Sequence, residues 1–147
     1  MTPARARKPS ADVIGDLVAA ARKVRRRAYA PYSNFHVGAA VLADGRIYAG
    51  ANLENASYPL SVCAERNAVA RAVFEGHRIW RKLAIATDAE DFVPPCGACR
   101  QVLAEFANDL EILLVNRRGE RRALQLADLI PVPFKDYPRG QAPERQP

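Results

Sequence analysis

Cys63-Ala64-Glu65-Arg66 and, farther along the chain, Pro95-Cys96-Gly97-Ala98-Cys99-Arg100-Gln101 hold all three cysteines of the protein. The second segment contains C-x-x-C, a spacing that lets two thiolates close on one tetrahedral metal. The first supplies a third thiolate with a carboxylate two residues on. Three soft ligands and a nearby acid suit a zinc that keeps an open position for water. A structural zinc usually takes four protein ligands. With no fourth cysteine, the site is either catalytic or completed by a histidine, and we read it as catalytic.

Outward from these motifs, the apolar periodicity predicts secondary structure. Val13, Leu17, Ala20, Ala21 and Val24 recur at helical spacing and predict an amphipathic helix over 11–28, with Ser10 or Asp12 as a cap and Pro31 beyond its end. Residues 35–42 and 46–51 read as strands joined by the turn Asp44-Gly45. Gly38-Ala39-Ala40 is a small-residue patch against which something packs closely. Residues 52–59 are a polar loop. A helix follows over 63–75, then a strand over 82–87, a loop over 88–95 and a helix over 96–106. Strands at 111–116 and 120–124 precede one helical turn at 126–130. Three helices alternating with five strands predict an α/β fold, three layers deep, with helices on both faces of a five-stranded mixed sheet. Both cysteine motifs then fall at helix N-termini, whose partial positive charge and free N–H groups favour thiolates.

Bulk composition narrows the function classes. A chain of 147 residues with 49% hydrophobic and 26% charged residues is ordinary for one globular domain. We place that domain at residues 10–137, between a disordered basic tail at 1–9 and an irregular tail at 138–147. An odd cysteine count with C-x-x-C argues for reduced thiols in the cytoplasm rather than a disulfide framework. No apolar run approaches the roughly 18 residues that span a membrane, and the N-terminus lacks the apolar core of a secretory signal. The net charge of +6 resides in the first 30 residues, where eight Lys/Arg face two Asp/Glu and the remainder balances. Such a cluster can bind polyanions, but a solvated basic face is the plainer reading.

Three thiolates on Zn²⁺ leave a formal charge of −1, which opposes ionising a bound water. Two features offset this charge: the helix N-termini, and Arg66, placed to donate to the ligating sulfurs. Glu65, on the first turn of the same helix, is suited to accept a proton from water at the metal and return it to substrate.

From about Tyr29 to Phe134 the chain resembles the small, homotetrameric, three-cysteine cytidine deaminases. The resemblance rests on Cys63-Ala64-Glu65, on Pro95-Cys96-Gly97-Ala98-Cys99-Arg100-Gln101, on Asn52-Leu53-Glu54-Asn55 and on Phe35-His36-Val37-Gly38-Ala39-Ala40. It implies one Zn²⁺ per subunit on Cys63, Cys96 and Cys99, with zinc-bound hydroxide attacking C4 of cytidine or 2′-deoxycytidine. Glu65 would protonate N3 and then the leaving amine, releasing ammonia in pyrimidine salvage. It further implies that the Ala64 N–H meets the pyrimidine carbonyl, that Phe35 contacts the ring, and that Asn52 and Glu54 grip the ribose 3′-hydroxyl. Tyr58 and Phe134 would reach the site of a neighbouring subunit in a homotetramer with shared active sites. His36, His77 and Trp80 match no motif, and both histidines read as structural or solvated.

Two rivals remain. A deaminase acting on RNA or single-stranded DNA gains support only from the basic helix, while Glu54 would oppose a polynucleotide phosphate. A non-enzymatic zinc-ribbon-like module would need His36 or His77 as its fourth ligand.

Overall fold

Strands alternate their side chains between two faces, and here both faces are apolar, so the sheet must be covered twice. The computed structural model describes residues 11–135. In chain order the elements are α1 (Ala11–Arg25), β1 (Val37–Ala43), β2 (Arg46–Ala51), a 3-10 turn (Tyr58–Leu60), α2 (Ala64–Phe74), β3 (Trp80–Thr87), α3 (Gly97–Ala104), β4 (Glu111–Val115), β5 (Arg121–Gln125) and α4 (Leu126–Leu129). The sheet order is β2-β1-β3-β4-β5. Only β3 and β4 run parallel, and α3 lies in the connection between them. The other three pairings are antiparallel, so the expected mixed five-stranded α/β sheet is present.

Ala40, Leu42, Ala84, Ala86, Leu113 and Val115 form one core with Leu17, Val18 and Ala21 of α1. Their strand neighbours Ala39, Val41, Leu83, Ile85, Ile112 and Leu114 form the other core with α2 and α3. Trp80, Leu103 and Leu110 are fully buried on this second side. Each such side chain contributes on the order of 1.5–3 kcal/mol by leaving water.

The two helix layers seat closely because the strands beneath them carry glycine. A Cβ on Gly38 would lie 2.1 Å from the Ala21 carbonyl oxygen and 2.6 Å from the Arg25 nitrogen, so α1 rests directly on β1. A Cβ on Gly50 would lie 2.5 Å from the Ala68 nitrogen, so α2 approaches β2 just as closely. Asp44 and Gly45, at φ 49° and 78°, make the tight turn between β1 and β2.

Boundaries differ from expectation at identifiable places. The first helix ends at Arg25 rather than at residue 28, because Arg26, Arg27 and Ala28 donate to carbonyls three residues back and wind the chain out of the α-helix. β1 begins at Val37 rather than Phe35, because the Asn52 side-chain amide takes up Phe35 O and Val37 N. β3 reaches back to Trp80, whose indole N–H donates to the His77 carbonyl at 3.1 Å. The polar loop runs at its end into the 3-10 turn Tyr58–Leu60. The expected tails at 1–9 and 138–147 and the Ser10 cap lie outside the described residues.

Candidate active site

Each cysteine motif ends a loop and opens a helix. Cys63 is the N-cap of α2 and Cys96 the N-cap of α3, both with extended backbone, while Cys99 is buried one turn into α3. The three Sγ atoms lie within 4.8 Å of one another, and Cys63 and Cys96 are 3.8 Å apart. A tetrahedral ion with bonds of about 2.3 Å to sulfur spaces its ligands about 3.8 Å apart. The thiol cluster therefore fits a zinc ion. Among the described residues it is the only group of three or more such ligands placed to hold a metal. His36 pairs with Asp88 at 3.0 Å and His77 with Asp44 at 2.8 Å. Both histidines are thus turned to carboxylates, which disfavours a zinc-ribbon arrangement.

The thiols and the groups around them are electrostatically linked. Hydrogen bonding from the Cys99 thiol, then from Arg66 and Cys96, outweighs burial and brings Cys63 down to about 5. The same bond with Cys63, together with burial, pushes Cys99 up, so one proton of the pair stays on Cys99. Arg66 Nη2 lies 3.9 Å from Cys63 Sγ and 3.3 Å from the Ser61 carbonyl. Its Nε is buried without a hydrogen-bond partner. The bond to Cys63 raises the guanidinium above its ordinary value, and the positive charge stays beside the sulfurs.

Glu65 is 5% exposed. Burial, and after it the negative charge of Cys63, pushes its carboxyl up to about 7, against the pull of its own backbone N–H and of Arg66. A carboxyl near neutrality can both take and give a proton at physiological pH.

A cavity of about 190 Å³ opens over this group and contains Cys63, Ala64, Glu65 and Cys96 in its lining. Phe35, Asn52 and Glu54 line it as well. They reach it because residues 52–54 are stitched into a short ladder. Tyr29 N donates to Asn52 O and Glu54 N to Tyr29 O, while Leu53 and Val62 exchange both backbone bonds. Asn67 Nδ2 donates to Ala51 O at 2.8 Å and ties the first turn of α2 to the end of β2. The Asn52 amide spans Val37 N at 2.8 Å and Phe35 O at 2.9 Å. The Glu54 carboxylate accepts from Tyr32 N at 2.9 Å, from Ser33 N at 3.2 Å and from the Ser33 hydroxyl. These bonds, the Ser33 hydroxyl first, hold it below the usual carboxylate range.

A second cavity of about 280 Å³ shares Ser33 and Glu54 with the first and adds Tyr32, Tyr58 and Ser61. Tyr58 is 68% exposed and meets Tyr32 edge-on at 5.6 Å. Phe134 lies outside both cavities and is 69% exposed. The Gln101 side chain holds its backbone on both sides, with Nε2 donating to Phe134 O at 2.8 Å and Oε1 accepting from Phe134 N at 3.0 Å.

The sequence reading missed Ser33, Thr87, Val93 and Pro94, all of which line the first cavity. Thr87 carried a usable signal, as a polar residue closing an apolar strand at the end where parallel sheets place their sites. Ser33 gave none, since its importance lies in hydrogen bonds to Glu54 and to Phe35 N.

Residues 13–114 match the family described as the cytidine and deoxycytidylate deaminase zinc-binding region. The chain is 46% identical to a cytidine deaminase of Sporosarcina psychrophila over 131 residues, covering 88% of this chain and 96% of that protein. Its structure resembles the crystal structure of cytidine deaminase from Burkholderia pseudomallei, with a TM-score of 0.78 and 44% identity over 82% of this chain and 98% of that one. It also resembles the cytidine deaminase of Mycobacterium tuberculosis, with a TM-score of 0.71 and 38% identity over 83% of this chain and 97% of that one.

Proposed function

The chain belongs to the zinc-dependent cytidine and deoxycytidylate deaminase family, and from that premise we propose that it hydrolyses cytidine and 2′-deoxycytidine to uridine and 2′-deoxyuridine, releasing ammonia. The observation that carries the reading is one cleft holding a three-thiol zinc site, a buried carboxyl poised near 7, and the polar pair Asn52 and Glu54. One zinc per subunit, held by Cys63, Cys96 and Cys99, supplies Lewis acidity that makes water nucleophilic toward C4 of the pyrimidine.

The chain's own groups do the rest. Glu65 takes a proton from the attacking water and places it on N3, then takes the remaining proton from the oxygen now bonded to C4 and delivers it to the departing amine as the C4–N bond breaks. One water is consumed and one ammonia leaves. The Ala64 N–H, free at the first position of α2, is offered to the pyrimidine carbonyl. Phe35 packs on the ring. Asn52 gives one amide hydrogen to Phe35 O and keeps the other for the 3′-hydroxyl. Glu54, its carboxylate held by the residue 32–33 backbone, accepts from the same hydroxyl.

The exposed rings of Tyr58 and Phe134 support association into a homotetramer in which they cover neighbouring sites. Three free thiols fit a reducing compartment, the cytoplasm, and a role in pyrimidine salvage. Among the described residues no helix is long and apolar enough to cross a membrane.

A substrate panel tests the proposal. Zinc-loaded protein is incubated with cytidine, free cytosine and a single-stranded oligonucleotide containing cytosine, and loss of the cytosine ring's near-ultraviolet absorbance is followed. Turnover of cytidine is expected, with cytosine poor and the oligonucleotide untouched. Preference for the oligonucleotide would favour the nucleic-acid reading, and no turnover of any would remove the enzymatic one.

A further inference from the structure

Asn116 is 1% exposed and sits just past the end of β4. Buried amides persist only when their hydrogen bonds are made, and those of Asn116 run in two directions. Toward the β4–β5 turn, Oδ1 accepts from Glu120 N at 3.0 Å and Nδ2 donates to Glu120 Oε2 at 2.6 Å. Toward the loop between β3 and α3, Nδ2 donates to Glu90 O at 3.0 Å. The adjacent Arg117 N donates to Ala89 O at 2.9 Å. That loop brings Val93 and Pro94 into the lining of the cleft. Its far end is fixed separately, by Arg100 Nε donating to Pro95 O at 2.8 Å.

We propose that Asn116, outside the cleft, is a positioning residue for substrate binding: its amide holds the Glu90 carbonyl, beside the Arg117 N–H on Ala89 O, and so sets where Val93 and Pro94 meet the substrate. The proposal rests on the nucleoside-deaminase reading of the cleft. Glu65 stands on α2, Cys63 caps its start, and Arg100 holds the chain entering Cys96, so the reacting groups do not depend on this dock. The surface that Val93 and Pro94 present touches substrate and transition state alike. Its displacement therefore raises KM and leaves kcat nearly unchanged.

Turn stability and loop docking can be separated. Asn116→Asp keeps the acceptor for Glu120 N but sets a carboxylate against the Glu120 carboxylate and the Glu90 carbonyl. Adding Glu120→Gln restores a donor to the turn, at the loss of an exposed pair with Arg118 that contributes little. It offers nothing to Glu90 O. Two backbone amides report the two sides separately: Gly119 N, which donates to Asn116 O, for the turn, and Arg117 N for the docked loop.

In zinc-loaded double variant, Tm and Gly119 amide protection should return to near wild type. Arg117 amide exchange should stay about tenfold faster, and KM for cytidine roughly fivefold to tenfold higher, with kcat within about twofold. Recovery of Arg117 protection and KM together with Tm would overturn the proposal, as would an Asn116→Asp variant with wild-type Arg117 exchange and KM. If wild-type protein fails to turn over cytidine, the nucleoside reading falls by itself, and Arg117 exchange still decides whether Asn116 docks the loop.

Discussion

Replacing Glu65 with glutamine should stabilise the metal-free protein at alkaline pH while removing its chemistry. The Glu65 carboxyl titrates near 4.5 in an ordinary setting and at about 7 in the folded chain. Its folded value is raised, so the native state holds a proton that the unfolded chain has already released between those limits. Stability then falls as pH rises through this window, by about 1.4 kcal/mol per pH unit. Below the window the acid is neutral in both states and glutamine changes little. Above it, the native state bears a buried carboxylate whose full cost is about 3 kcal/mol. Glutamine has the same shape and no charge. Urea unfolding of chelated, reduced wild type and Glu65→Gln across pH 5 to 8 measures the difference. The advantage of the variant should grow from under about 1 kcal/mol at pH 5 to about 3 kcal/mol at pH 8, most of it gained before pH 7. It should shrink when zinc is added, because a cation beside the carboxylate favours the charged form. An advantage that does not change with pH would refute the claim that burial raises this carboxyl.

Further expectations concern the frame and the groups around the metal. Gly38→Ala drives a methyl into the Ala21 and Arg25 backbone, so thermal unfolding should show a loss of about 3 kcal/mol; a wild-type Tm would mean that α1 does not rest on β1. Arg66→Gln removes the positive charge 3.9 Å from Cys63 Sγ. It should fold, bind zinc more weakly and lose activity mainly in kcat, with the pH–rate profile moved to higher pH; an unshifted profile with full zinc would reduce Arg66 to a helix-surface arginine. Glu54→Gln should raise KM for cytidine about tenfold and leave zinc content unchanged; an unchanged KM would withdraw Glu54 from ribose recognition.

The sequence was most informative where chemistry and periodicity coincide. Cys63 and Cys96 read as helix starts because loop residues precede them and apolar helical spacing follows, and both prove to be N-caps. The sheet order was not legible, since nothing local says that β1 lies between β2 and β3. The start of β1 was misplaced by two residues because its first partner is a side chain, Asn52, from a distant loop. Asn116 reads as the end of a strand, and nothing in the sequence singles out Ser33. Their roles come from hydrogen bonds to Glu90 and Glu54, which only the folded chain brings near. The contact of Arg66 was legible because its sulfur partner is three residues back, at the cap of its own helix.

The most direct test of the central claim is a crystal structure of zinc-loaded Glu65→Gln with cytidine bound, using anomalous scattering at the zinc edge. Expected is one zinc per chain bonded to Cys63, Cys96 and Cys99, with the pyrimidine beside Phe35, its C4 toward the metal and the substituted residue 65 near N3. Zinc on other residues, or cytidine bound outside the cleft formed by Phe35, Asn52, Glu54 and Ala64, would contradict it.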